Sequence, residues 1–447
     1  MVVTDRPTLI LRFADVGIAT YAGLRVVGQP ERTVTWVIEE TILLAALEEI
    51  AAALPDPRGA ETTVDALQRA LTGGAFTEPG AELTLAYRLG VLLISAAGWD
   101  LLQECVTDPR AVLFVAPSAR LGRVPWALLA LPAVRPEVTA MLAARQEAIT
   151  PDGPQPATIP WPTGPIDALT EGFRLLEFVE VLMAVPANIA HSRRVNAMRP
   201  EADPLLILDP RVPGQRPDSA LGSVLGRPTP DTTLARHYAD LMGRRKVLPR
   251  VDTPVELFRR TDTDRHWLAD VLAEKPGRLV YVGHASTGDG AERAALHLAC
   301  RASIEGYSDP IGDHRPLTAA DLMSSQLPIP TRVALLACAS GGDYRFDEAT
   351  GIVAAMVLGG AELVTATLWS LPTSAGYRRF VSGAPADPMG EVIAAVDTAH
   401  QAGTDFEAAF AVNRWQRAQL RSWRGGDESA APVYWAALVS FSVLRPG

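Results

Sequence analysis

Two apolar runs in the chain end in the same way. LVYVGHAS (Leu279 to Ser286) stops at a glycine and a histidine, and RVALLACASGG (Arg332 to Gly342) stops at a cysteine among small residues. A free thiol has a pKa of about 8.5 and is barely ionised at neutral pH, so it needs a neighbouring base to become a strong nucleophile. His284 is such a base for Cys338, and the same imidazole can protonate the departing amine of an acyl substrate. Ala337, Ala339, Ser340, Gly341 and Gly342 around Cys338 leave room for a peptide backbone to come close. The backbone N–H groups of Cys338 and Ala285 can point at a developing oxyanion, where one donor is worth roughly 10²–10³ in rate. The competing reading is structural: a strand-end cysteine as a small buried hydrophobe, and a histidine as a hydrogen-bonded core residue.

Two parallel neighbouring strands would bring these residues together, because reactive groups collect beyond the carboxyl ends of strands in open α/β sheets. The stretch Thr287 to Leu327 is long enough for the crossover a parallel pair needs, with a helix expected at Thr318–Ser324. From Glu82 onward strands alternate with helices, the pattern of a mainly parallel sheet covered on both faces. Expected strands are Ala111–Ala116, Phe178–Val185, Leu205–Leu208, Leu279–Gly283, Arg332–Cys338, Leu363–Trp369 and Tyr434–Leu444. Expected helices include Leu83–Leu102, Thr232–Gly243, Asp264–Ala273, Gly351–Leu358, Ser374–Phe380 and Glu391–Trp423. Before them, Leu9–Gly28 reads as two strands, Thr33–Leu54 and Thr63–Leu71 as helices, and Thr77–Leu83 as a linker. The expected organisation is a small N-terminal α/β module over residues 1–80, regulatory or partner-binding, and a larger α/β domain over residues 85–447.

The 447 residues carry a formal charge of −10, which argues against a protein held to nucleic acid by phosphate contacts. Lys246 and Lys275 are the only lysines, a bias of composition with no chemical reading. The N-terminus lacks a signal-peptide pattern, and TILLAALEEIAAAL (Thr41 to Leu54) is too short and too acidic to span a bilayer. Cys105, Cys300 and Cys338 show no paired spacing, so a reducing, cytoplasmic setting without membrane contact is expected. His297, Cys300 and His314 lack a fourth metal ligand and are expected to pack the core; no metal or cofactor is expected. Phosphate-loop, dinucleotide, zinc-protease and serine-elbow motifs are absent from the sequence.

The landmarks together resemble the CHAT domains, caspase-like proteins of the clan that includes caspases, separase and legumain. PSARLGRVPWALLAL (Pro117 to Leu131) resembles the family's opening strand and turn, and LLILDP (Leu205 to Pro210) its second strand. LVYVGHAS is similar to the histidine strand, and PLTAADLMSSQLPIPTRVALLACASGG (Pro316 to Gly342) to the block carrying the cysteine. AELVTATLWSLP (Ala361 to Pro372) and APVYWAALVSFSVL (Ala431 to Leu444) resemble the strands that follow. The resemblance implies a three-layer caspase-like α/β fold with a central mainly parallel sheet. It also implies a cysteine endopeptidase in which His284 is the general acid/base and Cys338 the nucleophile.

Two positions depart from the family pattern: Ala285 stands where glycine is usual, and Leu336, two before the cysteine, is apolar. By the resemblance Leu336 lines the S1 pocket, which disfavours a strongly charged P1 side chain. Asp289 and Asp343 lie near the dyad and either confer a basic preference or serve as loop and cap acids. Trp126, Trp369 and Trp435 stand at landmark positions as core residues, with Trp369 a candidate flank of the substrate cleft. The implied partners are a protein substrate and a protein or ligand activator, in a gated bacterial immune or conflict system. The alternative is an inactive CHAT-fold scaffold that binds a partner in the old groove.

Overall fold

The computed structural model describes residues 6–17, 19–134, 165–217, 219–288, 290–337, 351–381 and 386–443. The chain divides into two compact units, residues 1–181 with 423–426, and residues 182–422 with 427–446.

In the first unit, β1 (Thr8–Val16), β2 (Ala19–Val26) and β3 (Gln29–Glu39) form an antiparallel meander, and β1 also pairs in parallel with β4 (Val112–Ala116). The first eighty residues therefore share a sheet with a strand from beyond them. The helix expected from Thr33 starts later, at Glu40–Ala53. Thr33, Val34, Thr35, Val37 and Ile38 are β-branched and favour the extended backbone. The expected linker around Pro79 is the first turn of a helix, Pro79–Leu93, with proline at the position where its missing N–H costs nothing. That helix and Ala96–Glu104 meet at a 104° bend, not as one continuous rod. Ser95 starts the second helix by accepting from the Gly98 N–H at 3.1 Å. No single helix among the described residues is long and apolar enough to cross a membrane.

The second unit contains the candidate site. Its strands are β5 (Glu180–Ala184, which straddles the division), β6 (Leu205–Leu208), β7 (Leu279–Gly283), β8 (Ala285–Ser286), β9 (Ala295–Leu296), β10 (Leu317–Thr318), β11 (Arg332–Ala337), β12 (Leu363–Thr367) and β13 (Leu438–Ser442). The main sheet runs β5-β13-β12-β11-β7-β6, and β10-β9-β8 form a small separate sheet. Pairing is parallel from β6 through β12, while β13 runs antiparallel to β12. Every residue of β7, β11 and β12 is buried, as befits parallel strands covered on both faces. Two helical groups flank the sheet: Thr233–Arg244 with Pro388–Ala399, and Ala319–Ser325 with Gly351–Gly359.

The long helix expected over Glu391–Trp423 is two helices, Pro388–Ala399 and Asp405–Arg424. Arg332, at the start of β11, holds the corner between them. Its Nη1 donates to the His400 carbonyl at 2.8 Å, its Nη2 to that of Gly403 at 2.5 Å, and its Nε to the Asp405 carboxylate at 2.8 Å. A guanidinium at the end of a helix complements the exposed carbonyls there. The strand expected from Tyr434 begins only at Leu438, because Pro432–Trp435 form a helical turn.

Candidate functional site

β7 and β11 are parallel neighbours in register, with Leu336 opposite Val282 and Ala337 opposite Gly283. His284 follows β7 directly. Cys338 is the next residue after Ala337 and, with Asp343 and Asp289, lies outside the described residues.

Around His284 the contacts specify one protonation pattern. Its Nε2 lies 2.9 Å from the Gly222 carbonyl oxygen, which can only accept. Neutral His284 therefore carries its proton on Nε2 and keeps Nδ1 as the free base. Burial lowers its pKa from the usual imidazole value, and the Arg259 charge adds to that lowering. The Gly222 carbonyl and the Asp209 carboxylate act the other way, favouring the imidazolium.

The turn after His284 is fixed by its backbone. The Tyr281 hydroxyl, in a side chain 1% exposed, donates to the His284 carbonyl at 2.7 Å and to that of His297 at 3.2 Å. The His297 N–H donates to the same His284 carbonyl at 3.1 Å, while β8 and β9 pair antiparallel with Ala285 opposite Leu296. Hydrogen-bonded and non-bonded pairs alternate along an antiparallel ladder. Since His284 and His297 are the bonded pair, the Ala285 N–H faces away from β9, as a donor for an oxyanion requires. Gly283 is needed for close approach: a Cβ there would stand 2.8 Å from the Tyr281 hydroxyl oxygen.

Behind this turn runs a buried chain of polar contacts. The Cys300 carbonyl accepts from His314 Nδ1 at 2.9 Å, so His314 Nε2 is the acceptor for His297 Nδ1 at 3.0 Å. His297 Nε2 is then left to accept from the Ser286 hydroxyl at 3.0 Å. Burial, with His314 and His284 nearby, pushes the His297 pKa down to about 3. So weak a base does not activate Ser286 as a nucleophile, and the chain instead locks the β8–β9 turn. His297 and His314 bond to each other directly, so they do not converge on a common metal position.

Leu336 and Trp369 are both buried, and Trp369 Nε1 donates to the Val433 carbonyl at 2.8 Å. The residues that sequence reasoning missed are Gly222, Asp209, Arg259 and Tyr281. Asp209 follows the four apolar residues of LLILDP, the one visible sign that the strand end held something chemical.

The CHAT domain family model matches residues 88–442, about four-fifths of the chain. The chain belongs to the CHAT domain family. This CHAT protein is matched by two crystal structures of the Saccharomyces cerevisiae separase–securin complex, at 11% and 12% identity and TM-scores of 0.44 and 0.41. Each match covers 98% of this chain but only 30% of the separase chain. No curated protein matches it. As a CHAT domain with a mainly parallel sheet flanked by helices, the chain has the architecture its sequence implied. An imidazole whose free nitrogen is a base, next to an outward-turned backbone N–H at the end of a parallel strand, can take part in acyl transfer.

Proposed function

We propose that this CHAT protein is a cysteine endopeptidase acting on a specific protein substrate. The observation that carries the reading is the register of β7 and β11. Gly283 pairs with Ala337 at the ends of two adjacent parallel strands, and His284 and Cys338 are the residues that follow them in the sequence.

In the proposed reaction His284 Nδ1 takes the Cys338 thiol proton and the thiolate attacks the scissile carbonyl carbon. The carbonyl π electrons move onto oxygen, where the Ala285 and Cys338 N–H groups stabilise the oxyanion. Collapse breaks the C–N bond as the imidazolium gives its proton to the leaving amine. Water, deprotonated by the same imidazole, then hydrolyses the thioester and regenerates the thiol. Leu336 lines the P1 subsite, Trp369 flanks the substrate cleft, and Asp289 and Asp343 are the candidate acids for a basic preference. We place the protein in a reducing, cytoplasmic compartment and in a gated bacterial defence system, where residues 1–80 contribute to control.

The test is cleavage of a diverse peptide library by the full chain and by Cys338→Ala and His284→Ala, with and without candidate partner proteins. Deleting residues 1–80 is a poor substitute, because it removes β1 from its pairing with β4. Cuts that vanish in both variants support the peptidase and read out P1. Cuts that persist in Cys338→Ala remove it.

A further inference from the structure

We propose that Asp209 is a positioning residue: its carboxylate clamps the strap 222–225 so that the Gly222 carbonyl fixes the tautomer and orientation of His284. The proposal rests on the reading of His284 as the acid/base of the site, but its test does not depend on peptidase activity.

Asp209 follows β6 and is 0% exposed. Its N–H donates to the Val282 carbonyl at 2.6 Å, which anchors it beside the end of β7. The carboxylate accepts from four donors: the Ser223 hydroxyl at 2.6 Å, the Val224 N–H at 3.2 Å, the Leu225 N–H at 3.2 Å, and Arg259 Nη1 at 3.2 Å. Three of those donors belong to the strap directly after Gly222. Arg259 Nη1 also reaches the Gly222 carbonyl at 3.4 Å, so one guanidinium touches both the clamp and the acceptor it serves. The clamp thus runs without a gap from Asp209 through residues 223–225 to Gly222 and on to His284.

Two further observations mark the arrangement as imposed. Asp209 (φ 51°) and Arg259 (φ 55°) both lie in the left-handed region, which costs a non-glycine residue on the order of 1 kcal/mol or more. Gly222 is wedged in place, since a Cβ there would meet the Pro217 carbonyl oxygen at 2.3 Å. A buried carboxylate with four donors and two left-handed residues is an expensive way to close a surface loop. It is an effective way to keep one carbonyl oxygen 2.9 Å from one imidazole nitrogen. Among the described residues, the charged and titratable groups that bear on His284 are Asp209, Arg259 and His297.

The experiment is imidazole ¹⁵N NMR on the full chain, comparing wild type with Asp209→Asn and Ser223→Ala. His284→Ala assigns the resonance, and exposed His266 is the internal control. Asparagine keeps the shape but loses the charge and sets an NH₂ group against the strap's donors. Wild type should show a single Nε2–H tautomer at His284. Asp209→Asn should show both tautomers and a lower His284 pKa, with Ser223→Ala intermediate and His266 unmoved. If the peptidase assay reports activity, Asp209→Asn should lower kcat by roughly tenfold or more with KM little changed, the scale of losing an imidazole's orienting partner. A folded Asp209→Asn protein that keeps the single tautomer and the wild-type pKa overturns the proposal. Should Asp209→Asn fail to fold, Ser223→Ala decides: an unchanged tautomer overturns it and a mixed one supports it. Inactivity of wild type towards peptides, both with and without the candidate partner proteins, would instead count against the peptidase reading and leave the NMR comparison intact.

Discussion

Replacing Tyr281 with phenylalanine removes a single oxygen atom from the histidine turn. The ring is buried within β7, so the phenylalanine occupies the same space, and only the hydroxyl contacts are lost. That hydroxyl is shared between the His284 and His297 carbonyls, at 2.7 and 3.2 Å. The His284 carbonyl keeps the His297 N–H as a donor, whereas the His297 carbonyl loses the hydroxyl's share. A net hydrogen bond of about 1 kcal/mol plus part of a desolvation penalty gives a loss of about 1–2 kcal/mol. The loss is local, so hydrogen exchange is the suitable assay, read at the His297 amide that closes the turn. Its protection should fall roughly five- to thirtyfold, the factor that 1–2 kcal/mol represents, while amides in β1 and β2 stay unchanged. A change under about twofold would refute the argument that this hydroxyl holds the turn, and with it the account of how the Ala285 N–H is aimed.

In the first unit, Arg174 and Glu82 form a buried, two-point ion pair with side chains 2% and 0% exposed. Glu82→Gln should destabilise by about 3–5 kcal/mol in denaturant unfolding, and Glu82→Leu with Arg174→Met should recover most of it; equal losses in single and double variants would contradict this. The pKa values of His297 and His400 are both pushed down to about 3, chiefly by burial. A depressed native pKa gives stability that is fully present above about 6.5 and lost as pH falls toward 3, at about 1.4 kcal/mol per pH unit for each histidine. Denaturant unfolding between pH 7 and 4 should show that slope, and His297→Gln should reduce it by one proton; stability flat across the range would count against the burial argument. Burial raises the thiol pKa values of Cys105 and Cys300, 2% and 0% exposed. Alkylation of the native chain should therefore mark Cys338 first, at a rate that drops in His284→Ala; modification of Cys105 or Cys300 ahead of it would contradict the dyad.

The strands of the second unit were legible because each is a short apolar run bounded by turn residues, and Leu205–Leu208 and Leu279–Gly283 have the bounds read from the sequence. Their α/β alternation also gave the parallel crossover that sets His284 beside the end of β11. Breaks in helices were less legible. The corner between Ala399 and Asp405 depends on Arg332, which lies more than sixty residues away and whose donors claim the carbonyls of the corner. Likewise Thr33–Ile38 has apolar residues compatible with two periodicities, and pairing with β2 selected the extended one.

For the candidate site, the sequence by itself singled out His284 and Cys338 as the candidate dyad and gave the apolar runs that precede them, because local pattern and residue chemistry are both written in neighbouring residues. Only the tertiary structure decided which nitrogen of His284 is the base. That choice rests on the carbonyl of Gly222, delivered from a loop about sixty residues upstream by Asp209 and Arg259. A backbone carbonyl has no sequence signature, and the hydrogen bonds that place it form only when β6 and β7 stand side by side.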